Sequence, residues 1–439
     1  MLLLHLSDIH FRSPDCLTPA MDPEKHYRTK LILDARQMVL GLESVGAILV
    51  TGDIAFKGAA DEYQSAAVWV DELASEVGCR PECVWVVPGN HDVDRTLIQK
   101  SLATRNAQDA IVSARVDRRE RTLRDQISDP ETGRALVAPL AAYNEFATKY
   151  GCQVYLPEQL LWTKDLDFGH GAKLRITGLT STLLSGRSGD DHKGSLYLSP
   201  LQTVLDPCDD VVHLVMSHHP PDWLMDHEDV DENLYDRAAL HLFGHKHRLR
   251  ATLERQYARF SAGAVNPERG EAGWQPGYNL IDLKLTGDGA GRRLSIEAHI
   301  RQWQSNPGMF RAQQTTEGES VFKHSLAFAG AQRTSQPKEL VKVADDPPGQ
   351  GAAAAAPAAE PNSRSVEGAM GEATTRNLVY RFWKLKASDR REIALALKLI
   401  TQDEIAVPEP ARYGRALRRA GERGQLEELA REVEKREMN

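Results

Sequence analysis

Five short polar clusters concentrate the side chains able to do chemistry: Asp8-Ile9-His10, Gly52-Asp53, Gly89-Asn90-His91-Asp92, His218-His219-Pro220 and Gly244-His245-Lys246-His247. Their metal-binding donors are carboxylates, one amide oxygen and imidazoles, with no thiolate among them. Oxygen and nitrogen donors of this kind suit Mn, Fe or Zn better than copper. They are too many for one tetrahedral ion, so two divalent metal ions are implied. Two cations about 3.5–4 Å apart, bridged by one carboxylate, would hold a shared hydroxide, lower its pKa and brace a phosphoryl group for in-line attack. Asp53 is the natural bridge, because its cluster offers only that one ligand.

Each cluster follows an apolar run: Leu2–Leu6, Ala47–Val50, Val84–Val87, Val211–Met216 and Leu240–Phe243. Buried strands of open α/β sheets deliver polar groups at their carboxyl ends, so all five clusters are expected to meet on one sheet edge. In extended backbone, residues i and i+2 point the same way. Asp8 with His10, and His245 with His247, would then each act as a two-pronged ligand. Gly52, Gly89 and Gly244 fall where the backbone must turn close to the site. His218 and His219 are neighbours, so one of them must point away. A lone His on a strand is usually a satisfied core residue, and an isolated Gly-Asp or Asn-His-Asp is usually a turn; the ordered set of five carries the reading. Arg12, Arg95 and Arg248 adjoin the motifs and are either phosphate contacts or ordinary surface charges.

The order D-x-H, G-D, G-N-H-D, H-x-P and G-H-x-H resembles the calcineurin-like metallophosphoesterase superfamily. The runs LLLHLSDIHF, VTGDI, VPGNHDVD, MSHHPP and FGHKHR are most similar to its branch of bacterial cyclic-nucleotide phosphodiesterases, over about residues 1–285. The resemblance implies an α/β fold of two facing mixed β-sheets flanked by helices, with a dinuclear centre at the sheet edge. It implies Asp8, His10, Asp53 and His247 on the first metal, and Asp53, Asn90, His218 and His245 on the second. Spacing to Pro220 favours His218 over His219. His91 would then sit beside the leaving-group oxygen, as general acid or as a donor to developing negative charge. Asp92 would stand behind it, orienting His91 or its loop. Near Gly178-Leu179-Thr180-Ser181 the family often carries an Asn where this chain has Thr.

The chain has 439 residues, enough for two or three folding units. With 41% hydrophobic and 26% charged residues it is globular in composition, which excludes fibrous and wholly disordered classes. A net charge of −8 excludes a generally basic nucleic-acid-coating protein, although a local basic patch is compatible with it. The opening Leu2–Leu6 run is broken by His5 and lacks a basic leader, and no uncharged apolar stretch approaches the ~18 residues of a spanning helix. The expectation is a cytoplasmic protein without membrane contact. Five scattered cysteines, Cys16, Cys79, Cys83, Cys152 and Cys208, read as reduced thiols.

Residues 1–330 alternate strand and helix patterns and form the expected metallophosphoesterase domain. Ser261–Ala264, Gly277–Ile281 and an edge strand at Leu294–His299 are expected to complete its second sheet. Residues 94–150 interrupt the pattern as a helical insertion, with Arg115, Arg118, Arg119, Arg121 and Arg124, and then Leu140, Tyr143, Phe146 and Ala147 at helical spacing. The insertion is either a substrate-shaping cap or a solvated excursion. Residues 331–375, rich in Pro, Ala and Gly, read as a flexible tether. Residues 376–439 read as a small all-α bundle. Ile393, Leu397 and Ile400 fall at helical spacing, Thr401-Gln402-Asp403-Glu404 forms a capping box, and Leu426, Leu429 and Val433 make one stripe. This bundle carries 15 Lys/Arg against 11 Asp/Glu, a net of +4. Its runs FWKLKASDRREIALALKLI and RRAGERGQLEELAREVE resemble death-like, effector-associated adaptor domains of bacterial conflict proteins, which implies recruitment by a like-folded protein partner.

The combined expectation is a dinuclear phosphodiesterase or phosphomonoesterase acting on a nucleotide through a metal-bridging hydroxide, with His91 assisting the leaving group. One alternative is a metal-dependent nuclease on DNA or RNA, for which the Arg-rich insertion would track a phosphate backbone. A second is a non-catalytic scaffold working through its C-terminal bundle.

Overall fold

The computed structural model describes residues 1–206, 208, 210–267, 275–287, 291–328, 378, 381–383, 385–401, 404 and 409–437. The chain divides into two compact units, Met1–Ala331 and Gln332–Asn439. The tether expected at 331–375 lies outside the described residues.

β1 (Leu2–Leu6) is apolar at all positions but His5 and buried throughout, as a strand covered on both faces must be. It pairs in parallel with β2 (Val45–Val50), and β2 with β3 (Val84–Val86). Parallel pairing requires crossovers, supplied by α1 (Lys25–Leu40) and α2 (Ala60–Glu76). Five helices then intervene: α3 (Arg95–Lys100), α4 (Leu102–Ser113), α5 (Val116–Ser128), α6 (Pro130–Val137) and α7 (Ala141–Thr148). Their starts follow the sequence, since Asp94, Ser101 and Asp129 each accept a backbone N–H in the first turn of α3, α4 and α6.

A second sheet follows: β4 (Trp162–Gly169), β5 (Ala172–Gly178), β6 (Val211–Met216), α8 (His227–Arg237), β7 (Leu240–Phe243), β8 (Arg250–Leu253) and β9 (Ala258–Ser261). Its strand order is β4-β5-β6-β7-β9-β8, with β5, β6, β7 and β9 parallel. The chain then returns to the first sheet as β10 (Gly277–Thr286), β11 (Arg293–Ser305), β12 (Gly308–Ala312) and β13 (Phe322–Ala327). The first sheet runs β12-β11-β10-β1-β2-β3, with β13 also paired to β11. Two mixed sheets flanked by helices are therefore the fold.

The later strands correct two expectations. Gly277–Ile281 and Leu294–His299 complete the first sheet, not the second, because β10 lies antiparallel to β1. Leu294–His299 is no edge, since it sits in β11 between β10 on one side and β12 and β13 on the other. Ala262 and Gly263 lie past the end of β9.

One apolar core joins both sheets, uniting Leu4, Ile48 and Ile281 with Ile176, Leu214 and Phe260. A second core joins Ile111, Leu123, Ile127 and Leu136 of the insertion to Leu179, Leu184, Leu198, Leu224 and Leu234 around the second sheet. The insertion is thus packed, not a solvated excursion. In the C-terminal unit, α9 (Ala387–Ala396), α10 (Glu409–Glu422) and α11 (Leu426–Glu437) surround Phe382, Tyr413, Leu429 and Val433. The expected Ile393-Leu397-Ile400 stripe is broken. α9 ends at Ala396, Lys398 turns at φ +54°, and Ile400 is buried beyond the turn. Thr401 and Glu404 keep their capping contact, Thr401 N donating to Glu404 Oε2 at 2.9 Å, while Gln402 and Asp403 lie outside the described residues. Among the described residues, no helix is long and apolar enough to cross a membrane.

The shared second core makes a prediction. Leu123→Ala should cost about 2–5 kcal/mol locally. Amide exchange should accelerate in residues 102–137 and 179–205 together, with β1 to β3 unaffected.

Candidate metal centre

The five clusters converge, but not on one sheet edge. Asp8-His10, Asp53 and Asn90-Asp92 leave β1, β2 and β3 of the first sheet, whereas His218 and His245-His247 leave β6 and β7 of the second. The site lies where the carboxyl ends of the two sheets come together. The extended i, i+2 geometry is also corrected. Asp8, His10, Asp53, His245 and His247 all occupy left-handed backbone, with φ of +53°, +52°, +54°, +68° and +50°. Non-glycine residues rarely adopt this region, and each costs on the order of 1–3 kcal/mol unless its surroundings over-determine it. Here they do: Ile9 and His10 both donate to the Asp53 carbonyl (2.8 and 3.0 Å), and Asp8 donates to that of Gly52 (3.0 Å).

The glycines make this approach sterically feasible. A Cβ on Gly89 would strike the Asp53 carboxylate, and one on Gly244 would strike Ser7 Oγ. Gly52 combines a φ of +93° with His218 Nδ1 only 2.6 Å from any added Cβ.

Asp53 occupies the centre. Its Oδ1 accepts the His91 N–H (2.7 Å), and its Oδ2 faces His10 Nε2 at 3.5 Å and His218 Nε2 at 3.3 Å. His10 Nδ1 donates to the Asn266 carbonyl (3.2 Å) and His218 Nδ1 to that of Thr51 (2.7 Å), which turns both Nε2 atoms toward Asp53. His218 Nε2 also meets Asn90 Oδ1 at 2.9 Å and His245 Nδ1 at 3.2 Å. His245 Nδ1 meets the same amide oxygen at 2.9 Å. On the other side, Asp8 Oδ1 faces His247 Nε2 at 3.2 Å while its Oδ2 accepts the His245 N–H.

Among the described residues, four overlapping groups could hold cations: Asp8-His10-His247, His10-Asp53-His91, Asp8-Asp53-His218 and His218-His219-His245. The donor set fits divalent ions, with hard oxygens and imidazole nitrogens in one cluster whose carboxylates are buried and whose His91, His245 and His247 are partly exposed. His219 lies within the same reach, yet its Nδ1 meets Ser181 Oγ at 2.8 Å and its Nε2 faces Asp191 at 3.5 Å. Of the adjacent pair, His218 is the one that meets Asp53 and Asn90.

His91 stacks on Phe56 with centroids 4.9 Å apart, and its Nδ1 donates to the Phe56 carbonyl at 2.9 Å. Arg12 lies 3.7 Å over the same phenyl ring. Asp92 orients the loop rather than His91, accepting from the backbone N–H of Gly89, Ile54 and Ala55 and from the Tyr63 hydroxyl. Sequence reasoning missed Glu62, a buried carboxylate that accepts from the N–H groups of Phe56, Lys57, Ala59 and Ser13. Its place at the third position of α2 was the available signal. Asn266 had none, since it lies beyond the last cluster.

The sequence profile of the calcineurin-like phosphoesterases matches residues 1–249, more than half of the chain. The chain belongs to the calcineurin-like phosphoesterase family. A second profile, the GTPase-associated adaptor domain, matches residues 374–435. Among solved structures the chain is similar to Vps29 of Chaetomium thermophilum, with 13% identity over 74% of this chain and 98% of that one and a TM-score of 0.30. It is similar also to GAP50 of the Plasmodium inner membrane complex, with 12% identity over 76% and 90% and a TM-score of 0.37. A third is Vps29 of Cryptosporidium parvum, with 13% identity over 74% and 97% and a TM-score of 0.29. No curated protein matches.

In this calcineurin-like phosphoesterase, proximity shifts the titrating groups. Burial alone would raise the Asp53 carboxyl, but His218 and His91 hold it well below the usual carboxylate range. Burial disfavours a proton on His218, and the Asp53 carboxylate outweighs it, raising His218 to about 9. Burial, followed by the Asp53 charge, lifts Asp92 to about 6. Burial lowers His91, against the pull of Asp53.

A raised His218 pKa means that a cation must displace a proton to reach its Nε2. At about pH 7.5, Mn2+ added to metal-stripped protein should release about one proton. Calorimetry in buffers of different ionisation enthalpy reads this number, which should fall toward zero above about pH 10.

Proposed function

We propose that residues 1–330 hydrolyse a phosphate ester of a nucleotide at a dinuclear centre. Asp8, His10, Asp53 and His247 would hold one divalent ion, and Asp53, Asn90, His218 and His245 the other. The observation that carries the reading is Asp53 Oδ2, placed between His10 Nε2 and His218 Nε2 at 3.5 and 3.3 Å. Bound Mn, Fe or Zn ions would polarise phosphoryl oxygens and lower the pKa of a water. The chain supplies positioning. The Thr51 and Asn266 carbonyls fix the imidazoles, and Asp92 and Glu62 hold the loops.

His91 has a specific part. Because its Nδ1 donates to Phe56, only its Nε2 is available to an ester oxygen, and it donates there only as imidazolium. We assign it to the leaving group. For the nuclease alternative, arginines of the insertion are engaged in local contacts. Arg115, Arg121 and Arg124 pair locally with Asp117, Asp125 and Glu120, and Arg119 donates to the Ala114 carbonyl. A scaffold role is disfavoured by the complete donor set. The adaptor profile supports recruitment of the enzyme by a protein partner through residues 376–439.

Wild-type protein should bind about two Mn2+ ions and Asp53→Asn fewer, with hydrolysis of bis-p-nitrophenyl phosphate lost. His91→Ala should keep both ions and slow alkyl phosphate esters by about 10²–10⁴, with a smaller loss for nitrophenyl esters. An equal loss for both leaving groups would remove the acid role. Deleting residues 376–439 should leave kcat/KM for bis-p-nitrophenyl phosphate within about twofold, as expected of separable units.

A further inference from the structure

Between β5 and β6, residues 186–195 run from the bank of the site built on the first sheet to the bank built on the second. On the first bank Arg95, at the start of α3, pairs with Asp190 at 2.7 Å. Gly186 lies so close to α3 that an added Cβ would stand 3.1 Å from Ile98 Cδ1 and 3.2 Å from Arg95 Cγ. On the second bank Lys193 pairs with Asp222 at 3.0 Å, and Asp222 also holds Lys246, the residue between His245 and His247, at 2.7 Å. The segment is a strap joined to both banks.

Its middle turns inward. Asp191 has a side chain only 5% exposed, accepts the Gly186 N–H through Oδ1 at 3.1 Å and brings Oδ2 to 3.5 Å from His219 Nε2. His219 meets Ser181 Oγ through Nδ1, and its ring stands beside those of His218 and His245, with centroids 4.7 and 4.5 Å away. A buried relay, Asp191 to His219 to Ser181, therefore ties the strap to the imidazoles proposed for the second ion. The insertion grips the preceding turn from outside: Gln108 of α4 donates to the Leu183 carbonyl at 3.1 Å, and Arg187 pairs with Asp109 at 2.9 Å.

Magnitudes decide which contact fixes the strap. The Arg95–Asp190 and Lys193–Asp222 pairs are exposed on at least one side, and water screens them to little net strength. Asp191 is buried and makes two contacts at once, its Oδ1 accepting the Gly186 N–H and its Oδ2 lying against the His219 ring, and a buried polar group left without its partner is far more disruptive. Asp191 is the pin.

We propose that Asp191 is a positioning residue: it sets the strap across the site, and the strap meets the part of the substrate that does not react. The proposal rests on the phosphate-ester reading above and narrows it. A bridge between both banks suits a compact, mononucleotide-sized ester better than a polynucleotide laid across the cleft.

Two chromogenic diesters sharing one leaving group test this: thymidine 5′-p-nitrophenyl phosphate and bis-p-nitrophenyl phosphate. In Asp191→Asn of the full chain, the ratio of their kcat/KM values should fall about tenfold, chiefly through KM for the nucleotide ester. An unchanged ratio overturns the proposal. So does an equal loss on both substrates together with lost manganese, which would make Asp191 a support of the metal cluster alone. Asp190→Ala, which removes only an exposed pair, should shift the ratio the same way by about twofold; a shift the other way counts against the strap. Amide exchange reads the pin without activity. Residues 186–195 should exchange faster in Asp191→Asn while β1 and β2 do not change, and an unchanged strap overturns the relay. If the wild-type chain hydrolyses neither diester and also leaves p-nitrophenyl phosphate intact, the phosphate-ester reading fails, and exchange alone still decides whether Asp191 holds the strap.

Discussion

Two carboxylates, Asp8 and Asp53, stand fully buried where the carboxyl ends of two sheets meet, and nearly everything around them answers to that fact. Removing an ionised carboxylate from water is expensive unless opposite charge and hydrogen bonds replace the lost hydration. Imidazoles from four strand ends face these two groups, backbone carbonyls fix several of the rings, and backbone N–H groups complete the shell. The same arrangement that makes the carboxylates tolerable is one that could hold divalent cations. Stability and chemistry draw on one set of contacts.

The backbone carries part of this load. Of the five residues in left-handed conformation, Asp53, His245 and His247 stand within three positions of Gly52 or Gly244, whose missing Cβ atoms admit an imidazole and a hydroxyl. Such strain persists only where flanking elements leave no alternative. β1, β2, β6 and β7 provide that rigidity, each buried on both faces and each ending just before its cluster. Asp92 and Glu62 add a further layer, pinning three loops through backbone N–H groups without entering the donor cluster.

Much of this was legible in the sequence, for identifiable reasons. Apolar runs ending in Asp, Asn and His clusters mark buried strands with polar carboxyl ends, so β1, β2, β3, β6 and β7 and their donors were readable. What the period-2 rule could not show was the turn taken just past each strand: Asp8 and His10 converge through left-handed turns and not through strand alternation. Sheet membership was also hidden, because β10 reads as a strand whichever sheet it joins, and only its pairing with β1 decides. The insertion announced its helices through Asp94, Ser101 and Asp129, but its shared core with residues 179–234 depends on tertiary contacts that no local pattern encodes. In the C-terminal unit, periodicity ran past the true end of α9 because the turn at Lys398 carries no Gly or Pro to mark it.

The return of β10 to the first sheet has a consequence for biosynthesis. β1 emerges from the ribosome well before its antiparallel neighbour, which is encoded some 275 residues later, Leu4 pairing with Leu280. Throughout that interval a strand of leucines offers an open row of N–H and C=O groups to any other nascent chain. At about 5–20 residues per second, the exposure lasts on the order of ten seconds to a minute. Guarding that unpaired leucine edge during translation is a task this topology hands to the cell's chaperones.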